Sequence, residues 1–363
     1  MTGAGIRFFL TGPTWVREDV LQQMTRPMIG HRSDAFRALY DSLQRRLRQV
    51  FRTNKNVLIA TSSATLLMEA AVVSLATNVL HLTNGAFSER WATISASHGL
   101  STDRLEFPWG RAVDVDLLRK ALQRKKYGAV TVVHNETSTG VINPLQEIAR
   151  VVQAESEALI LVDTVSSMSG APIETDDWGL DIVVTSSQKA LAVPPGIALF
   201  SLSDRAAKRA STTEHRGFYT DVVRYRDKDE ASGTITTPAL SVLFALDRQL
   251  DVILEEGVEA RWNRHRALQV KVEKWATDRP IEFASESGFR SPTVSCLQPS
   301  NSLAAPGVVK RLADRGLTVA GGYGDWKPTT FRIGHMGEVR AADLAILLGS
   351  LEEFFSSPNQ GHE

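Results

Sequence analysis

Ala158-Leu159-Ile160-Leu161-Val162-Asp163, followed by Thr164-Val165-Ser166-Ser167, is an apolar run that stops on a carboxylate. A run this short and this rich in branched side chains reads as a strand buried on both faces, the pattern of a parallel sheet covered by helices. Working outward, similar runs recur at 57–61, 79–83, 104–107, 129–134, 181–185 and 197–201. Helical patterns lie between several of them, at 64–76, 114–125 and 143–155. The third opens with Asn143 as an N-cap, Pro144 at the first helical position and Gln146 at the capping-box position. Strands alternating with helices predict an α/β fold with a mostly parallel sheet flanked by helices. Such a sheet receives its ligands at the carboxyl ends of its strands.

Past Ser201 the texture changes. Segment 214–233 is polar and charged, and Pro238 then opens a long helix whose Leu240, Leu243, Leu246, Leu250 and Ile253 recur at three- and four-residue steps. Gly257 punctuates it. Two further helical patterns and two or three short strands follow, enough for a smaller C-terminal α+β domain. The expected division is a large domain at 14–256 and a small one at 257–363, with residues 1–13 packing on the latter.

The chain has 363 residues, with 41 Lys+Arg against 41 Asp+Glu. Balanced charge removes the broad attraction a nucleic-acid binder uses. No apolar stretch approaches the ~20 residues that span a bilayer, and the N-terminus lacks a basic-then-apolar signal pattern. One cysteine, Cys296, rules out an intramolecular disulfide and multi-cysteine metal sites. It follows a strand-like run and reads as a small buried hydrophobe. A cytoplasmic enzyme that engages neither membrane nor nucleic acid is the expectation.

Three elements carry the chemistry. Asp163 ends its strand and is either a turn former or a placed charge. Lys189 lies in Ser187-Gln188-Lys189-Ala190-Leu191, between a buried-type strand and the rigid turn Pro194-Pro195-Gly196. Most lysines are solvated, but this one would face the ligand crevice. A crevice lysine with a carboxylate on the neighbouring strand suits pyridoxal 5′-phosphate, which bonds to a lysine amine and pairs its pyridine nitrogen with a carboxylate. Thr61-Ser62-Ser63-Ala64-Thr65 opens a helix after the first strand, and reads equally as a phosphate cradle or as simple capping.

These residues carry a resemblance to a known family. The chain resembles the class V aminotransferases of the fold-type I pyridoxal phosphate enzymes, in particular the alanine–glyoxylate and serine–pyruvate group. The resemblance runs from Thr11-Gly12-Pro13-Thr14 through Met28-Ile29-Gly30-His31-Arg32 to Phe331-Arg332-Ile333-Gly334-His335-Met336-Gly337. Its most specific pieces are His134-Asn135-Glu136-Thr137-Ser138-Thr139-Gly140, Val162-Asp163-Thr164-Val165-Ser166-Ser167 and Ser187-Gln188-Lys189-Ala190-Leu191. It implies that Lys189 binds the coenzyme covalently and shuttles a proton, while Asp163 pairs with the pyridine nitrogen. It further implies Val165 below the ring, Phe87 stacked on its other face and Thr137 near its hydroxyl, with Ser63, Ala64, Thr65 and Gln188 on the phosphate. Thr237 matches a threonine that reaches the phosphate from the other subunit of a homodimer, whose active sites lie at the subunit interface. Thr234 stands where many relatives have a tyrosine, so one cross-subunit contact departs from the pattern. Arg332 would anchor the substrate carboxylate, and Gly30-His31-Arg32 would border the partner's site.

His134 and Glu136 have the spacing of half a zinc deaminase motif without the other half, and no metal site is expected. No G-x-S-x-G elbow or phosphate-binding P-loop occurs. Gly321-Gly322-Tyr323-Gly324 lacks dinucleotide spacing and reads as a loop. The expected activity is transfer of an amino group from a small amino acid, alanine or serine, to glyoxylate or pyruvate by ping-pong chemistry through Lys189. The alternative is a lyase or desulfurase of the same fold and cofactor. A non-enzymatic module would leave Lys189 on the surface.

Overall fold

The computed structural model describes residues 7–75, 77–300 and 304–355. Its main sheet has seven strands in the order Leu58–Ala60, Ala198–Leu202, Ile182–Ser186, Leu159–Asp163, Ala129–Val133, Asn78–Thr83 and Ser101–Glu106. From Ile182–Ser186 to Ser101–Glu106 every pairing is parallel. Ala198–Leu202 runs antiparallel to both of its neighbours.

Side-chain alternation explains why this sheet is covered on both faces. Ile160, Val162, Val130, Val132 and Val183 point into one core, whereas Leu159, Leu161, Ala129, Val133 and Val184 point into the other. Helices Asp34–Phe51, Leu145–Glu155 and Leu240–Glu256 close the first face, and Ala64–Leu75 closes the second. Leu240, Leu243, Leu246, Leu250 and Ile253 are all buried, as their spacing predicts.

The expected strands are all present, with shifted ends. The edge strand begins at Ser101, three residues before the apolar signal, because the polar Ser101, Thr102 and Asp103 pair through backbone with Asn78, Val79 and Leu80. A polar edge strand carries no burial pattern to read. One cap is corrected. Asn143 does not cap the helix Leu145–Glu155, where Pro144 holds the cap position without a side-chain bond. The Asn143 side chain donates instead to the Val133 carbonyl (2.7 Å) and accepts from the Val113 N–H and the Asn84 amide (both 2.9 Å), tying three loops together. The polar segment 214–233 also contains a helix, Val222–Asp229, which Tyr225 pins by packing on Phe200. The predicted last residue of the 64–76 helix, Ala76, lies outside the described residues, as do 1–6 and 356–363 of the terminal segments.

A second sheet has the order Phe8–Phe9, Thr318–Gly321, Phe331–Gly334, Val294–Pro299 and Ile281–Phe283. Helices Val258–Ala276, Ala305–Asp314 and Ala341–Phe355 share its core, so this region holds one more helix and more strands than its sequence suggested. Phe8–Phe9 joins it in parallel with Thr318–Val319, which carries the chain start across the second sheet. No helix among the described residues is long and apolar enough to cross a membrane.

The chain start is held tightly where it leaves that sheet. A Cβ on Gly334 would lie 2.1 Å from the Leu10 carbonyl oxygen, a backbone atom that cannot rotate aside. Gly334→Ala should therefore destabilise the protein by about 1–3 kcal/mol, as overpacking does. Urea unfolding measures this, and an unchanged midpoint would contradict the close approach.

Candidate active site

Five strand ends converge at one edge of the main sheet, and a cavity of about 230 Å³ opens there. Asp163 is the last residue of its strand and is 4% exposed. Its Oδ1 accepts the Val165 N–H at 2.7 Å, and the backbone of Thr164 is fixed by the Val184 carbonyl. Burial pushes the Asp163 carboxyl up to about 7, the Glu136 charge adds to this, and Lys189 and Arg90 oppose it. No cation is hydrogen-bonded to Asp163 among the described residues.

Lys189 follows the next strand and reaches the same cavity. Its backbone is clamped from outside the sheet. The Thr14 N–H donates to the Gln188 carbonyl and the Thr14 hydroxyl to the Lys189 carbonyl, each at 3.0 Å. Arg261 Nη2 and the Ser169 hydroxyl both donate to the Ala190 carbonyl, at 3.1 and 2.9 Å. The amine itself donates to the Thr11 carbonyl and lies 5.8 Å from the Phe87 ring centre. Burial lowers this amine to about 8, with the Arg332 charge acting the same way and Asp163 and Glu136 opposing. An amine so lowered is partly unprotonated near neutrality and is a usable nucleophile and base.

Ser63, Ala64 and Thr65 line the cavity at the start of the helix Ala64–Leu75, where free N–H groups and the helix dipole favour an anion. Phe87, Thr137, Val165 and Gln188 also line it. The Thr137 hydroxyl shares a hydrogen bond with that of Ser166. The structure thus brings nine residues singled out in the sequence, from Ser63 to Lys189, to one cavity. Arg332 does not line it but lies behind Thr137, whose carbonyl accepts Arg332 Nη1 at 3.1 Å, while Arg332 Nε donates to the Gly321 carbonyl at 3.0 Å. Arg332 is 8% exposed and burial lowers its guanidinium. It has no carboxylate partner among the described residues.

Thr237 is not brought to this cavity within one chain. It is exposed, beside Thr234, His31, Arg32 and Lys228, around a separate hollow of about 480 Å³. Thr234 donates to the Thr236 carbonyl at 2.7 Å.

Arg90 was not singled out in the sequence, and Glu136 was noted there without the role it has here. Arg90 lines the cavity, donates to the Thr65 hydroxyl at 3.3 Å and covers the Phe87 ring at 4.7 Å. Its signal was its place three residues after Phe87, on the same face of the helix Ala86–Ser97. Glu136, fully buried, accepts the Phe87 and Ser88 N–H groups (3.1 and 3.0 Å) and the Ser138 hydroxyl (2.6 Å). It holds the start of the helix that presents Phe87 and Arg90. Cys296 is buried on the strand Val294–Pro299, opposite Arg332, and burial pushes its thiol up to about 11.

Residues 17–346 match the family Aminotransferase class-V. A Synechococcus sp. (strain PCC 6716) protein named soluble hydrogenase, small subunit, is 36% identical over 354 residues, covering 94% of this chain and 91% of that one. An uncharacterized aminotransferase of Methanocaldococcus jannaschii is 34% identical over 350 residues, with the same coverage of 94% and 91%. Among solved structures, the alanine–glyoxylate aminotransferase of Nostoc sp. superposes with a TM-score of 0.88 at 28% identity, over 97% of this chain and 96% of that one.

The raised Asp163 carboxyl has a measurable consequence. Folded Asp163 holds its proton more tightly than the unfolded chain, so its contribution to stability is lost as pH rises from about 4 through about 7. In ligand-free protein, Asp163→Asn should be more stable than the parent at pH 8 by on the order of 1–3 kcal/mol, a gain that vanishes by about pH 4. Urea melts at the two pH values test this, and an equal difference at both would refute it.

Proposed function

The chain belongs to the class-V aminotransferase family, and from that premise we propose that it moves the amino group of alanine or serine onto glyoxylate or pyruvate. It is a transaminase of fold type I, and its cofactor is pyridoxal 5′-phosphate. The residues present suit that group. A buried carboxyl has no bonded cation among the described residues, an amine of lowered basicity faces the same cavity, and Arg90, beside a helix start, has no carboxylate partner among them. When bound, pyridoxal phosphate supplies an aldehyde that joins an amine and a ring that takes up electrons.

The observation that carries the reading is Lys189 and Asp163 lining one small cavity at the carboxyl ends of adjacent strands. Asp163 would hold the proton of the ring nitrogen. Ser63, Ala64, Thr65, Gln188 and Arg90 would hold the phosphate, Phe87 and Val165 the ring, and Thr137 its hydroxyl. Lys189 Nζ would take the proton from the substrate Cα and pass it to the C4′ carbon of the coenzyme, and would carry it the opposite way in the second half-reaction. Arg332 offers its Nη edge to the substrate carboxylate, and two parallel bonds there fix the amine's approach. Thr137, held between Ser166 and Arg332, couples the anchor to the cavity wall.

The same reading takes the protein as a cytoplasmic homodimer with domains 14–256 and 257–363, residues 1–13 packing with the latter. The lone buried Cys296 suits a reducing compartment. Exposed Met28 and Phe218, each 61% accessible, and the exposed Thr237 support a partner subunit. Thr237 would then reach the partner's phosphate site. Glyoxylate as acceptor is supported by the Nostoc sp. enzyme, whose name states it. A desulfurase needs a mobile, acidic thiol, and Cys296 is neither exposed nor acidified.

Given a donor amino acid without acceptor, the holoenzyme should release one equivalent of the matching oxo acid per site and no ammonia. Adding glyoxylate should then yield one equivalent of glycine. Lys189→Ala should lower the rate by at least about 10²–10⁴-fold. Continuous ammonia or sulfide release without acceptor would replace this reading with a lyase or desulfurase.

A further inference from the structure

The glycine-rich segment at 321–324 has entered the site so far only through the Gly321 carbonyl that receives Arg332, yet it also sets a side chain against two of the site's residues. The Tyr323 ring lies 5.6 Å from the Phe87 ring, tilted by 46°. The Arg332 guanidinium lies 5.6 Å from the centre of that same Tyr323 ring. Phe87 is also the ring within 5.8 Å of Lys189 Nζ. A single phenol therefore touches both the aromatic wall beside the reactive amine and the guanidinium behind it.

The backbone holds this phenol in place. The preceding strand pairs Gly321 with Phe331, and the Gly321 carbonyl receives Arg332 Nε at 3.0 Å. A Cβ on Gly322 would lie 2.2 Å from the Trp326 carbonyl oxygen, so the turn is packed backbone to backbone. The Trp326 N–H closes it on the Tyr323 carbonyl at 2.9 Å, and the Trp326 ring packs edge-on against Trp109 at 5.5 Å. Tyr323 is half-buried, presented by a turn with little room to swing.

We infer that Tyr323 sets the upper size of the substrate side chain. The inference rests on Arg332 as the carboxylate anchor. A substrate whose carboxylate sits on Arg332 and whose nitrogen approaches Lys189 must extend past Phe87, and Tyr323 occupies the space between Phe87 and Arg332. Whatever else Cα carries must share that space with a rigid ring. Hydrogen, methyl and hydroxymethyl groups require little of it, whereas a four-carbon chain requires the volume the phenol fills. A wall of this kind selects by exclusion, and each methylene excluded or admitted changes the rate about 10–200-fold.

The test compares the holoenzyme with Tyr323→Ala and Tyr323→Phe on alanine and on 2-aminohexanoate. The ratio of kcat/KM for 2-aminohexanoate over alanine should rise at least about tenfold in Tyr323→Ala, and stay within about twofold in Tyr323→Phe. Competition by the unreactive carboxylates propionate and hexanoate gives a binding readout independent of turnover. Hexanoate should gain on propionate in Tyr323→Ala only. Tyr323→Leu, which keeps an apolar side chain of shorter reach, serves if the alanine variant fails to fold. A parallel loss on both donors, or an unchanged ratio, overturns the inference. A parent enzyme that transaminates neither donor would instead fault the assignment of function.

Discussion

Withdrawing the Lys189 amine from water lowers it to about 8, and withdrawing Asp163 raises it to about 7. Burial disfavours the charged form of each, and attraction between them recovers only part of that cost. Near neutral pH neither proton is firmly held. The environment responsible is supplied by packing around the strand ends, and that packing must be rigid, because water entering the cavity would return both groups to ordinary values. The clamps on Gln188, Lys189 and Ala190 from Thr14, Ser169 and Arg261 therefore serve the chemistry as much as the fold.

Arg261 extends that rigidity to the second sheet. It is fully buried and pairs with Glu338 at 2.8 Å and Glu256 at 3.0 Å, while its other Nη holds the loop of Lys189. Burial pushes the Glu338 carboxyl up, and the Arg261 charge together with the Gln249 bond more than reverses this. Arg264 adds bonds to the Gly337 and Val339 carbonyls. Removing one partner from such a network leaves an uncompensated buried charge, which costs about 3–5 kcal/mol. The network joins the helices Leu240–Glu256 and Val258–Ala276, the Lys189 loop and the end of the strand carrying Arg332. Lys189 and Arg332 are thereby fixed relative to each other although they belong to different sheets.

Much of this was legible because burial writes a pattern. Strands covered on both faces are runs of Val, Ile and Leu, and their order with the helices gave the architecture and the edge at which ligands sit. Asp163 and Lys189 could be found because each ends or follows such a run. Features that rest on partners distant in sequence stayed hidden. Asn143 has the look of a cap, and only the fold shows that Val133, Val113 and Asn84 compete for its side chain. Arg90 resembles any helical arginine until Thr65 and Phe87 are placed beside it. Ser101–Asp103 form a strand by pairing their backbone with residues 78–80, which no apolar side-chain pattern records.

Charge accounting narrows what this site can receive. Glu136 is satisfied by the N–H groups of the helix Ala86–Ser97 and by Ser138, so its charge is already compensated within the fold. Arg90 and Arg332 have no carboxylate partner among the described residues, and Asp163 has no bonded cation there. A complementary occupant carries two anionic groups, one toward the start of the helix Ala64–Leu75 and one toward Arg332, and a protonated nitrogen toward Asp163. A neutral or wholly cationic ligand would leave two buried or half-buried guanidiniums uncompensated. A simple dianion would satisfy those but crowd Asp163 with like charge and push its carboxyl still higher. A phosphate, a protonated ring nitrogen and a substrate carboxylate together meet all three demands.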